Sequence, residues 1–83
     1  MKKKIYKYLY WSVLWHSKNC LDGIKEYIVH ENQLPVLFHT KREAKEYIKR
    51  RFGYIATRKD LRIEPHGWRM PKAIGIILMI NEL

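Results

Sequence analysis

The chain has 83 residues, enough for one small domain whose thin core removes roughly 60–65% of the unfolded chain's surface from water. Seventeen Lys and Arg against eight Asp and Glu leave a formal net charge of +9. That field favours a polyanion and argues against a protein that imitates nucleic acid. The single cysteine, Cys20, excludes an internal disulfide and suits a reducing cytosol; with no metal-ligand signature beside it, no metal or other cofactor is expected.

The first twenty residues, MKKKIYKYLYWSVLWHSKNC, have the basic start, apolar run and cysteine of an export signal. Lys7 breaks the run, Tyr and Trp fill it, and Ser17, Lys18 and Asn19 do not make a lipoprotein cleavage site. Within this stretch the longest uncharged run, residues 8–15, is too short to span a bilayer. The expectation is a single small basic domain over residues 1–83, located in the cytosol, with no membrane partner and a flexible basic tag at residues 1–4.

Residues 5–16 alternate as a strand. Leu9, Trp11, Val13 and Trp15 share an apolar face, while Tyr8, Tyr10, Ser12, Leu14 and His16 share a mixed one. Such a pattern suits an antiparallel sheet covered on one side, with Trp11 and Trp15 in the core. SKNCLDG is a turn in which Asp22-Gly23 supplies the positive-φ step. Residues 24–30 give a second strand, with Ile24 and Ile28 on one face and Tyr27 and Val29 on the other. ENQLP then turns the chain into a short apolar strand over residues 36–39.

TKREAKEYIKRRFG carries the clearest local signal. Thr40 stands at an N-cap with Glu43 three residues on, a capping box, and Gly53 stands where a helix takes a left-handed C-cap. Ala44, Tyr47, Ile48 and Phe52 form the buried stripe; Arg42, Lys45, Glu46, Lys49 and Arg50 lie opposite. Arg51 falls near the stripe and is expected to snorkel out. Residues 58–72, RKDLRIEPHGWRMPK, read as a loop, and AIGIILMI after it as a strand buried on both faces or central in the sheet. The fold class is therefore α+β: a small antiparallel sheet with one helix packed on a face, ββαβ-like.

Four histidines, His16, His30, His39 and His66, show no metal-ligand spacing and no hairpin-and-helix cluster of the histidine–metal nuclease kind. His66 between Pro65 and Gly67 reads first as a turn residue. Trp68 has two readings. It can fold back as the lid of a thin core, with Pro65 and Pro71 stiffening the wrap, or it can stack on a base, an interaction worth roughly 1–3 kcal/mol.

The candidate nucleic-acid contacts form two patches. Arg42, Lys45, Lys49 and Arg50 lie on the helix face, which also reads as a solvated surface because Glu46 is one turn from both arginines. Arg58, Lys59, Arg62 and Arg69, with His66 and Trp68, lie around the loop. Arginine suits phosphate because its planar fork donates two hydrogen bonds at once. No helix-turn-helix pair, RNP strand or GxxG is present, so weak sequence specificity is expected.

WSVLWHSKNCLDG, LPVLFHTKREAKEYI, FGYIATRKDLR and EPHGWRMPK together resemble a group of small tailed-bacteriophage proteins, most of them without an assigned activity. The resemblance runs from Trp11 to Lys72; Phe52 departs from the Tyr of the pattern. It implies a phage origin and a location in the cytosol of the bacterial host but no established activity; phage proteins of this size are commonly accessory factors that disable a host component rather than enzymes. The leading expectation is a non-enzymatic protein that binds nucleic acid, RNA ahead of DNA, and counteracts a host defence or nuclease system. The alternative is a direct inhibitor docking on an acidic host protein through Trp68 and Arg69. A small metal-independent nuclease is the third. Oligomeric state stays open, because an exposed strand edge can pair with a second chain.

Overall fold

The computed structural model describes residues 4–82. Its elements run β1 (Lys4–Asn19), β2 (Gly23–Ile28), β3 (His30–Glu31), β4 (Leu34–Pro35), α1 (Lys41–Phe52), α2 (Tyr54–Thr57), α3 (Lys59–Arg62) and β5 (Trp68–Glu82). Three antiparallel strands in the order β2-β1-β5 form the sheet, β3 and β4 form a separate small hairpin, and α1 packs on one sheet face. The α+β class read from the sequence stands. Of the expected basic tag, residues 1–3 lie outside the described residues, and Lys4 already belongs to β1.

The alternation in β1 places Val13 and Trp15 against the helix, and both are buried. Trp11 shares their face but is only half-buried, with the Lys41 ammonium 5.5 Å from its ring centroid. Ser12, on the opposite face, is buried too, and its hydroxyl donates to the Val36 carbonyl at 2.6 Å. Beyond Trp11 the helix no longer covers the sheet, so Leu9 stands exposed despite its apolar pattern.

Between β2 and α1 the chain is more broken than its composition suggests. Val29 interrupts the expected second strand and donates its N–H to the Val13 carbonyl at 2.9 Å. Asn32 and Gln33, with φ of 51° and 67°, make the two-residue left-handed turn that joins β3 to β4. The expected strand at residues 36–39 is reduced to a single bridge, in which Phe38 and Trp11 exchange backbone hydrogen bonds of 2.7 and 2.8 Å.

Helix α1 begins as its sequence dictates: the Thr40 hydroxyl accepts the Glu43 N–H at 3.2 Å. The Glu43 carboxylate answers to the Thr40 hydroxyl, at 3.0 Å. Ala44, Tyr47 and Ile48 are buried, and Phe52 packs against the core beside Trp15. The helix end differs from expectation. Gly53 is right-handed (φ −58°, ψ −27°), and the chain passes straight into α2, which buries Ile55. Glycine is needed there for space, because a Cβ would collide with the Lys49 carbonyl oxygen. Arg51 does snorkel, reaching Glu31 at 3.5 Å, and Glu31 also accepts the Tyr47 hydroxyl at 2.7 Å.

Residues 58–72 are not one loop. They contain α3, which buries Leu61, a five-residue turn and the start of β5. The turn is latched to the end of β1: Lys18 N–H donates to the Gly67 carbonyl at 2.9 Å, and Asn19 Nδ2 to the His66 carbonyl at 3.0 Å. Gly67 has φ of 62°, and a Cβ on it would strike the Lys18 carbonyl, so no other residue fits this crossing.

β5 corrects the largest expectation. It is an edge strand, and β1 is the central one. Ile77, Leu78 and Met79 are exposed, because beyond Trp11 neither helix nor third strand accompanies the β1–β5 ribbon among the described residues. The ribbon makes the molecule long: its extents are 57 × 27 × 20 Å and its radius of gyration 16.2 Å. A compact chain of this length would have a radius of about 12 Å.

Candidate nucleic-acid interface

Lysines spaced by four residues share one flank of a helix, and α1 places Lys41, Lys45 and Lys49 in such a row. Packing brings a fourth cation to them from far along the chain. Lys41, Lys45 and Ile48 of α1 face Pro71, Lys72 and Ala73 of β5 across a groove of about 370 Å³. Among the described residues no carboxylate lines this groove. A second, adjoining depression of about 390 Å³ is lined by Lys41, Arg42, Lys45, Glu46 and Lys49. Among the described residues, none of Lys41, Lys45, Lys49 and Lys72 lies within salt-bridge distance of an acid. None of the four is therefore tied into an ion pair, the nearby Glu46 being taken by Arg42, and Ile48, Pro71 and Ala73 give the groove an apolar floor.

The other cations named from the sequence are arranged less favourably. Arg42 is paired with Glu46 at 3.3 Å. Arg50 turns to the opposite flank of α1 and lines a depression with Glu31, Tyr47 and Arg51. Arg58 is engaged by Asp60 at 2.6 Å; this hydrogen bond holds the Asp60 carboxyl below, and the guanidinium above, their ordinary ranges. Lys59 and Arg62 are exposed on α3. Arg69 folds back so that its Nη1 donates to the Arg62 carbonyl at 2.9 Å, which joins α3 to β5.

Trp68 performs the lid role. Its ring meets Trp15 edge-on at 5.3 Å and packs against the core. It is only half-buried, however, and with Trp15, Tyr27 and His66 it walls a cleft of about 240 Å³ that also includes Asn19, Asp22 and Lys25. His66 lies 5.4 Å from Trp68, again edge-on. Asp22 and Lys25 give the cleft a carboxylate and an ammonium beside its aromatic walls. Trp68 and Lys72 are four residues apart on β5, so cleft and lysine groove are separated by roughly 13 Å along the strand.

The four histidines do not converge. His16 pairs with Glu26 at 2.9 Å, His30 with the Ile28 carbonyl at 2.7 Å, His39 lies tilted against Tyr10 and His66 edge-on to Trp68. Among the described residues no three metal-ligating side chains cluster. No helix there is long and apolar enough to cross a membrane.

Sequence reasoning missed Lys41 and Lys72. The four-residue spacing of Lys41, Lys45 and Lys49 was a readable signal; the approach of Lys72 was not, because it depends on how β5 docks beside α1. Comparison with protein-family models, curated proteins and solved structures gives no match, so the interface rests on its own geometry.

Proposed function

We propose that this protein binds nucleic acid without chemical turnover, single-stranded RNA ahead of duplex DNA and with weak sequence specificity. The observation that carries this reading is the carboxylate-free groove of Lys41, Lys45 and Lys72, backed by a net charge of +9. A groove that tracks one phosphate backbone beside an aromatic cleft is the arrangement used by proteins that hold single strands, where bases stack and phosphates are neutralised. Lys49, Lys59, Arg62 and Arg69 extend the cationic surface, while His66 and Trp68 offer the stacking edge. The resemblance to small tailed-bacteriophage proteins supports a role in the cytosol of an infected bacterium, acting through nucleic acid against a host defence or nuclease system.

The test is binding of nuclease-treated protein to labelled single-stranded RNA and to a matched DNA duplex across a salt series. With about five cations on phosphates, the slope of log K against log salt should be about −3 to −4 on the single strand. No binding at low salt would remove this reading and leave direct docking on an acidic host protein as the explanation of the charge.

A further inference from the structure

Beyond Trp11 the β1–β5 ribbon has no helix or third strand beside it among the described residues. Residues 4–10 of β1 pair only with β5, and the outer edge of β5 carries no strand among the described residues. A lone two-stranded ribbon is marginal in water, and an open edge presents unpaired N–H and C=O groups to any second strand. Its side chains are apolar on both faces: Ile5 is 57% exposed, Leu9 62%, Ile77 63% and Met79 58%, with Tyr6, Tyr8 and Leu78 on the other side. This patch cannot serve the polyanion reading, because along residues 5–10 and 74–79 the only charged side chain is Lys7.

The chemistry of the edge selects its occupant. Charge repulsion between two copies of a +9 protein is weakest where the charges are fewest, and that is this ribbon. Pro71 lacks an N–H, so strand addition at β5 is confined to the stretch beyond it, and the uncharged part of that stretch, residues 74–80, lies past the groove residues Lys72 and Ala73. That stretch is close to self-complementary. Reversed and set against itself about Ile77, it brings Ile76 opposite Leu78, Gly75 opposite Met79, and the Ile74 position opposite the Ile80 position. Over residues 74–80 every position is apolar or glycine, so no like charges are set against each other.

We propose that a second copy of this chain pairs with the open edge of β5, antiparallel and about a two-fold axis near Ile77, so that two three-stranded sheets become one sheet of six. The contact is isologous and therefore closes at two copies. Ribbon side chains of each copy gain neighbours on both faces, and the backbone groups of the edge are satisfied. Pairing over residues 74–80 leaves Pro71, Lys72 and Ala73, the β5 side of each lysine groove, outside the paired stretch. This dimer does not depend on nucleic-acid binding.

The experiment is light scattering coupled to size exclusion on the nuclease-treated full chain over a dilution series. The expected mass is twice 10.2 kDa, falling towards 10.2 kDa on dilution. Ile77→Lys sets like charges across the axis and should weaken association at least tenfold, with the tryptophan near-ultraviolet spectrum unchanged; Met79→Lys serves if that variant does not fold. In a Cys20→Ser background, Ile77→Cys should oxidise to a covalent dimer while Ile74→Cys should not. A parent that stays monomeric at its highest attainable concentration overturns the proposal. So does a dimer untouched by both lysine variants, or assembly that appears only when RNA is added.

Discussion

Trp68 meets Trp15 edge-on with ring centroids 5.3 Å apart, and this contact ties the first residue of β5 to the C-terminal part of β1. Edge-to-face aromatic pairs contribute about 1 kcal/mol beyond the area they bury. Trp68→Ala should therefore cost about 2–3 kcal/mol in urea denaturation, less than a fully buried aromatic because the ring is half-exposed. Trp68→Phe should recover most of that loss. If Trp68→Ala left stability unchanged while abolishing RNA binding, the ring would be a contact residue and not a lid.

The lysine groove separates from the rest of the charged surface by substitution. Lys41→Glu, Lys45→Glu and Lys72→Glu should each weaken RNA binding several-fold and reduce the salt slope by about 0.7 per lost phosphate contact. Arg50→Glu and Arg58→Glu should do less, since Arg50 lies on the other flank of α1 and Arg58 is held by Asp60. The groove lysines are exposed, so their melting curves should stay within about 0.5 kcal/mol of the parent. Equal losses at Arg50 and Lys72 would mean that the whole surface acts only as a diffuse charge.

Tyr47 reports on pH. Burial, and then its hydrogen bond to Glu31, push its hydroxyl above the ordinary phenol value. A raised value in the folded state means stability that is complete below the unfolded phenol range near 10 and is lost as pH rises through the folded value. Tyr47→Phe should cost about 1–2 kcal/mol at neutral pH and should flatten that alkaline decline. A decline that persists unchanged in Tyr47→Phe would assign it to another group.

Cys20 is exposed yet should react slowly. The Glu64 carboxylate, which accepts the Cys20 N–H at 3.0 and 3.1 Å, also holds the thiol above its ordinary range, by hydrogen bonding first and by its charge second. Since the thiolate is the reactive form, Glu64→Gln should speed modification by a disulfide reagent at neutral pH several-fold. The pH–rate profile should move to lower pH by the same substitution. An unchanged profile would show that Glu64 does not control the thiol.

Some features follow from the chain alone because they are local. The Thr40 cap, the stripe of Ala44, Tyr47 and Ile48, and the alternation through Trp15 need only neighbours within one helical turn or along one strand. Even the escape of Arg51 follows from its position at the edge of that stripe. The sequence also carried the excess of positive charge and the lack of any metal-ligand spacing.

Other features depend on contacts between distant residues. AIGIILMI is apolar whether it lies at the centre of a sheet or at its edge, and the decision fell to β1, whose second edge was taken by β2. Gly53 carries the composition of a left-handed cap but serves as a close approach to the Lys49 carbonyl. Lys72 is one cation among seventeen in the sequence. Only the docking of β5 against α1 carries it to Lys41 and Lys45, because a groove is made by two elements and neither encodes it alone.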